Sequence, residues 1–591
     1  LIAGLWTLAF ALVVLAAVAW VSSKATTVKS ELQASTELLP TLKAQVAADD
    51  ASGAAQTVKS LVQHTGAARQ AASDPLWKFS AMLPWLGPNF EAATIVATAA
   101  DDVARLGAIP LVETFQSLNW ESLTPGPSGV DLAPIQTAAP RVDAAAHAVR
   151  ESSKRLAAID TDGLLPQIAT PLTEAREQLA TLSGELDSAA DVTSLAPAML
   201  GADRPQRYLL LMQNNAESRA TGGIPGALAV LSVDKGRLKL ESQTSATALG
   251  TFAPPIPLDA EQTAIYSARV GKFMQDVNLT PDFATTASTA HSMWERSTGE
   301  KLDGVLSLDP VALSFILDAT GPVKVSEPAV QSIGSGLPAQ LTAQNVVQTL
   351  LSDAYAKIKE PKNQDAYFAG AASEIFGSIS TGKADPKKLM TAITKAVDER
   401  RILLWSSSAT FQNTIARYSV GGLISGTAVA PAEFGVYFND GTGAKMDYWI
   451  KRTTQVVKDC TRDGYREVSI RVTSSNQAPV DAGTSLPEYV TGGGKFGVPA
   501  GTVQTNVVAY GPVFSNIDTV VKDGENIPFA AQRHSDRAVG TSTIRLAPGQ
   551  SASLDFTFGH IVQHADPNLV VTPTTQRTAD VVQVPSLASC E

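Results

Sequence analysis

The first stretch of the chain, Leu1 to Val21, carries no charged side chain. An uncharged apolar run of roughly 20 residues is long enough to cross the ~30 Å hydrocarbon layer of a bilayer as one helix. Trp6 and Trp20 stand toward its two ends, where interfacial anchors gather. A cleaved signal peptide is the other reading, and Ala17-Val-Ala19 matches a small-x-small cleavage site. From residue 25 to about 200 the apolar positions follow a helical period. Val28, Leu32, Leu39, Leu42 and Val46 mark one face, in a segment that Pro40 is expected to kink or interrupt. Asp49 to Gly53 reads as a break before a returning helix. Leu172, Ala175, Leu179, Leu182 and Leu186 form a seam that serves either an internal bundle or self-association. Between these faces lie the Trp77/Trp85 segment and a loop, Thr124 to Gly129.

After Arg207 the pattern changes to α/β. It predicts strands over 208–212, 227–233, 238–243, 304–309 and 401–405. Helices are predicted over 284–297, 310–319, 343–358, 365–381 and 384–399. Beyond residue 430 the runs become short and alternating: Phe434–Phe438, Tyr448–Val457, Tyr465–Val472, Val503–Tyr510 and Ala552–Phe558. With Gly- and Pro-rich turns between them, they predict an immunoglobulin-like β-sandwich. The expected fold class is therefore multidomain α+β. Its parts are a transmembrane anchor (1–23), a helical domain (24–203), an α/β domain (204–425) and a β-sandwich (430–591).

Within the α/β part, Tyr208 to Met212 reads as a buried strand that opens into a loop ending at Gly226. That loop holds Asn214, Asn215, Glu217, Arg219, Gly222 and Gly223. Polar groups at the end of a buried strand are a common ligand site. The chain has 46 Lys and Arg against 57 Asp and Glu, a net charge of −11, with no basic block; this excludes a nucleic-acid binder, which needs a cationic face. The chain's two cysteines, Cys460 and Cys590, read as a disulfide in an exported protein, with two free thiols as the alternative. With no further Cys and six scattered His, a structural zinc site is excluded.

The loop residues Gln213-Asn-Asn-Ala-Glu-Ser-Arg219 and Thr221-Gly-Gly223 resemble the signature of the domain-of-unknown-function 4012 family of bacterial envelope proteins. Asp276–Phe283, Lys301–Pro310 and Ala319–Val323 agree with it, as do Asp74–Trp77 and Leu83–Gly87 upstream. The unit Val305 to Val325 resembles part of the LytR-CpsA-Psr enzymes, in which a strand-helix unit ends in Gly-Gly-Val; this chain has Gly321-Pro-Val323. That resemblance implies an extracytoplasmic protein, anchored by one span in the cytoplasmic membrane, that handles a glycopolymer on a polyprenyl pyrophosphate.

On this reading Arg219 contacts phosphate and is expected to be the main cation for an anionic group. Glu217, Asp276 and Asp282 would hold a divalent cation, Mg2+, since phosphoryl transfer needs its charge neutralised. Arg219, Asp276 and Asp282 would be the catalytic set. Asn214, Asn215 and Asn278 would orient oxygens, Gly222 and Gly223 would let backbone approach the ligand, and Arg269 and Lys272 would add charge. The competing reading makes Asn214, Asn215, Gly222 and Gly223 turn formers, pairs Arg219 internally with Glu217 or Asp276, and leaves Asp282 to start a helix. The chain also departs from the enzymes. Val346 to Ser378 holds Lys357, Lys359 and Lys362 where they carry arginines, and lysine lacks the bidentate fork. Two functions follow as expectations: binding or transfer of a polyprenyl-linked envelope glycan, or a non-catalytic scaffold that binds other envelope proteins.

Overall fold

The computed structural model describes residues 2–117, 120–123, 125–126, 129–380 and 384–590. Leu1, Thr124, Pro127, Ser128, Thr381 and Glu591 lie outside the described residues, as does the side chain of Trp6. The chain forms two compact units: Leu1–Trp120 with Asp131–Asp203, and Glu121–Val130 with Arg204–Glu591.

The first unit is helical. α1 (Ile2–Ala47) is one helix that passes through Pro40 without a break, where the sequence predicted a kink or interruption. Its first half is apolar and bare: Phe10, Leu12, Val13 and Leu15 are exposed. It is long and apolar enough to cross a membrane. Its second half packs on α2 (Ala51–Ala72), with Val28 and Leu32 against Ala68 and Ala71 and Leu42 against Ala54 and Val58. Leu39 and Val46 stay exposed. The expected break is present: the Gly53 N–H donates to the Asp50 carboxylate at 2.8 Å, an N-cap for α2. α3 (Pro75–Ser80), α4 (Gly87–Asp102), α5 (Ile109–Ser117), α6 (Ala133–Ala157) and α7 (Pro166–Met199) complete the unit. The α7 seam is taken up inside it. Leu172, Ala175 and Leu179 pack with Ala99 and Leu156, and Leu186 packs with Ala138 and Val142.

The second unit begins with a five-stranded sheet. Its strands are β1 (Gln206–Arg219), β2 (Gly222–Asp234), β3 (Arg237–Ser245), β4 (Gly304–Leu308) and β5 (Leu403–Ser406), in the spatial order β3-β2-β1-β4-β5. β1 runs antiparallel to β2 and parallel to β4. The run Leu209-Leu-Leu211 is apolar throughout because both faces are covered. Leu209 and Leu211 meet α8 (Phe283–Thr298), whereas Leu210 meets α9 (Pro310–Thr320) and α10 (Pro361–Ile379). The helix predicted over 343–358 runs unbroken from Val346 to Lys357, with a π-turn, Thr349–Asp353, in its middle. Val323–Lys324 pairs with Gln340–Leu341 in a separate ribbon rather than joining the main sheet.

The rest of this unit is two facing five-stranded sheets around one core. The strands are β6 (Glu433–Asp440), β7 (Ile450–Arg462), β8 (Tyr465–Asn476), β9 (Val503–Val513), β10 (Asn516–Lys522), β11 (Glu525–Asn526), β12 (Ala530–His534), β13 (Arg537–Leu546), β14 (Ser551–Ile561) and β15 (Asn568–Val571). One sheet is ordered β11-β10-β14-β8-β7 and the other β12-β13-β9-β6-β15. Phe434 and Phe438 on β6, Ile470 on β8, Val507 on β9 and Phe556 and Phe558 on β14 fill the space between them. The sequence pattern did not reveal β10, β11, β12, β13 and β15: all but β13 are short and bury few side chains, so they carry little alternation, whereas β13 is ten residues long and mostly buried but rich in small polar residues.

Cys460 on β7 and Cys590 form a disulfide with Cα atoms 5.7 Å apart. The tail before Cys590 lies along β7, which is an edge strand. Ser586 N–H donates to Val456 O at 3.0 Å and Ala588 N–H to Val457 O at 2.8 Å.

Candidate functional site

The polar segment after Met212 is not a loop. β1 continues to Arg219 and β2 starts at Gly222, so only Ala220 and Thr221 turn the chain. The polar side chains of this strand find partners inside the fold. Gln213 donates to Thr221 Oγ1 at 3.0 Å, Asn215 donates to Asp309 at 3.0 Å and to Pro573 O at 3.2 Å, and Asn214 donates to the Tyr355 hydroxyl. Gly222 and Gly223 serve the hairpin. Gly222 has φ +142°, and a Cβ on Gly223 would fall 2.1 Å from the Asn214 carbonyl. Asn278 holds the same turn, donating to Thr221 Oγ1 at 3.0 Å and to Gly223 O at 2.8 Å.

The charged residues form a buried chain. Arg219 Nη2 lies 3.0 Å from Glu217 Oε1 and 3.4 Å from Asp276 Oδ1, with its side chain 7% exposed. Arg269 reaches Asp276 Oδ2 at 2.6 Å from the solvent side. Lys445, from the turn after β6, pairs with the other oxygen of Glu217. Burial alone would raise the Glu217 carboxyl, but Lys445 and Arg219 outweigh it and hold the carboxyl below its ordinary range. Lys272 lies apart from this chain, its ammonium 5.4 Å over the Phe273 ring.

Asp282 does different work. It caps α8, accepting from Thr285 N–H at 3.2 Å and Thr285 Oγ1 at 2.7 Å. Among the described residues no group of three or more His, Cys, Asp or Glu is gathered to hold a metal ion. Glu217 and Asp276 are engaged by cations and Asp282 by its helix, so these three do not fit Mg2+.

Several residues of the site had no sequence signal. Asn439 receives the Ala220 N–H at 3.0 Å and donates to Leu279 O at 2.9 Å. Asp440 accepts from Thr442 N–H at 3.1 Å and Gly443 N–H at 2.7 Å. The Asn-Asp-Gly-Thr-Gly run marks a turn in sequence, but nothing there says that it closes over β1. Asp309 caps α9, accepting from Ala312 N–H at 2.7 Å, and also binds Arg401 at 2.8 Å.

Two cavities border this network. The first, of about 380 Å³, lies between β1, β2, the π-turn and α10, with walls of Leu308, Leu313, Leu350, Phe368, Ile375 and Phe376. Asn214, Tyr355 and Lys445 lie at its polar end. The second is a cleft of about 640 Å³ lined by Arg219, Arg269, Asp276, Asn439, Asp440 and Phe496, among others. The two share Ile224 and Gln275. Gln275 Oε1 is buried and has no hydrogen-bond partner among the described residues, so an acceptor stands unused at the junction. The arrangement suits an amphipathic molecule better than a free anion, because the cleft's arginines already face carboxylates.

Residues 203–355 match the model of a family described as protein of unknown function (DUF4012). The match takes in the Gln213–Gly223, Asp276–Phe283, Lys301–Pro310 and Ala319–Val323 blocks, while Asp74–Trp77 and Leu83–Gly87 lie outside it. No curated protein matches the chain.

Asp440 gives the site a pH dependence. Burial, with Asp447 and Glu217 nearby, pushes its carboxyl up to about 7 from 3.8, against the pull of Arg219. The folded state therefore holds a proton there that the unfolded chain has released, so this group's contribution to stability falls as pH rises from about 4 to 7. An asparagine in its place would keep the turn, its side-chain oxygen accepting both N–H groups. With about 1.4 kcal/mol per pKa unit, Asp440→Asn is expected to be more stable than the parent by on the order of 1–3 kcal/mol at pH 8. The difference should vanish near pH 4. Urea unfolding at both pH values checks this, and equal stability at pH 8 would refute it.

Proposed function

We propose that the protein is held in the cytoplasmic membrane by α1, with the rest of the chain on the outer side, and binds a lipid-linked envelope glycan of the polyprenyl-pyrophosphate kind. The part of the apolar chain next to the head occupies the 380 Å³ cavity and the polar head lies in the adjoining cleft. What carries the reading is the meeting of an apolar cavity and a polar cleft at Ile224 and Gln275. Cavities of this size and lining are typical of small-molecule sites. The disulfide supports an oxidising compartment. A reporter fused at the C-terminal end should be active outside the cytoplasm, and activity confined to the cytoplasm would overturn the topology.

Binding, rather than transfer, is what the geometry favours. Arg219 is already matched by Glu217 and Asp276, so the cleft has little free charge for a departing pyrophosphate. Lipid extraction from full-length protein in mild detergent, followed by mass spectrometry, should recover a polyprenyl-linked species. Ala372→Trp, which fills the cavity from α10, should lose that lipid while keeping the cleft. A lipid retained by the filled variant at normal melting temperature would sink this reading. So would parent protein that carries no lipid and is not thermally stabilised by added polyprenyl phosphate. The internally paired charges of Glu217, Arg219 and Lys445 favour the second reading in that case, a scaffold whose immunoglobulin-like sandwich binds an envelope protein.

A further inference from the structure

The helical unit carries an apolar patch that its own core leaves bare. From α3 into α4, Leu76, Phe79, Met82, Leu83, Trp85 and Leu86 are all exposed, Met82 by 80% and Trp85 by 90%. A contiguous apolar surface of this kind is a common mark of an interaction site.

The patch is built, not frayed. Trp77 fastens it from beneath: its ring meets Phe90 edge-on at 4.8 Å and its Nε1 donates to Thr94 at 2.9 Å. The turn beyond α3 is closed by Met82 N–H to Phe79 O at 3.1 Å and Gly87 N–H to Leu83 O at 2.8 Å. Gly87 is required there, since a Cβ would sit 2.3 Å from the Ala81 carbonyl. Trp85 has φ +75°, a costly conformation for a bulky residue, and that conformation presents its indole to the outside.

The position of the patch identifies what covers it. Asp74, which caps α3 by accepting from Leu76 N–H at 2.9 Å, also accepts from Trp20 Nε1 at 3.1 Å. Lys24 stands 3.9 Å from the same carboxylate and 4.9 Å over the Trp20 ring. Trp20 and Lys24 mark the end of the uncharged run of α1, the level at which a spanning helix leaves the hydrocarbon. The patch is therefore tied to α1 at that level. Lys78 is the one charged residue from Pro75 to Gly87, and its long stem suits the headgroup layer.

We propose that residues 76–86 are a membrane-contacting foot whose aromatic and aliphatic side chains enter the interfacial layer of the bilayer that α1 crosses. The inference rests on α1 being a membrane span. With two points of contact the helical unit has a set stance on the surface, which a single helix free to rotate would not give it.

The test uses the full chain in phosphatidylcholine–phosphatidylglycerol vesicles. Because Cys460 and Cys590 are bridged, an environment-sensitive maleimide dye reports only an added cysteine. Phe79→Cys, Met82→Cys and Trp85→Cys probe the foot and Leu12→Cys probes the span. Ala48→Cys lies about 40 Å up α1 and is the aqueous control. The foot labels should shift to the blue on reconstitution and lose intensity to lipid-borne quenchers, as the Leu12→Cys label does, while the Ala48→Cys label does neither. Foot labels that stay aqueous while the Leu12→Cys label is quenched would overturn the foot and leave the span standing. A Leu12→Cys label that is itself aqueous would overturn both.

Discussion

Arg401→Met is expected to destabilise the second unit by about 3–5 kcal/mol, the cost of leaving a buried charge without its partner. The Arg401 side chain is fully buried and binds Asp309 at 2.8 Å and Glu399 at 2.8 Å. It also donates to Thr574 O at 2.9 Å and Gln576 O at 2.6 Å, chain that follows the last sandwich strand. One guanidinium thus joins the start of α9 to the β part of the same unit. Methionine has similar bulk but leaves Asp309 facing only Asn215 and its own helix. Arg401→Lys should recover a minor part, because one ammonium cannot serve acceptors on several sides. Adding Asp309→Asn to Arg401→Met should recover more than additivity allows, since it removes the stranded charge. Urea unfolding at pH 7 reads all of these. A loss below about 1 kcal/mol for Arg401→Met would mean that the pair is replaceable by water.

Removing the disulfide, as Cys460→Ser with Cys590→Ser, is expected to cost about 2–4 kcal/mol through the wider freedom of the unfolded chain. The sequence separation is 130 residues, so the closed loop is long. A local effect should come first. The tail covers the open edge of β7, and Gln583, Ser586 and Ala588 use their N–H groups on Thr454, Val456 and Val457. Without the bridge these bonds should open well below global unfolding, and an open strand edge invites association between copies. Hydrogen exchange at those three amides should accelerate in the double variant, with self-association rising on warming. Unchanged exchange would show that the tail holds itself and that the bridge acts only on the unfolded chain.

The parts of the fold legible in the sequence are those whose cause is local. Leu209 to Leu211 could be read as a covered strand because the run is apolar on both faces. Asp309-Pro310 announced a helix start, as capping chemistry needs only neighbours in sequence. The bridge was legible because two cysteines leave one pairing. The Gln213–Arg219 segment misled for the opposite reason. Its polar residues resemble a loop by composition, and the partners that make it a strand come from distant chain: Lys445 meets Glu217 across 228 positions and Pro573 meets Asn215 across 358.

By itself the sequence determined an apolar helix of spanning length, a helical segment, an α/β segment, a β segment and one possible disulfide. Those follow from hydrophobic period, turn residues and cysteine count, which act over a few residues. Tertiary structure decided what the polar residues do. Folding set Arg219 between Glu217 and Asp276, gave Asp282 to a helix cap, and opened an apolar cavity beside a polar cleft at Ile224 and Gln275. A buried charge takes whichever partner the packing brings within about 3 Å, and packing depends on elements hundreds of positions apart.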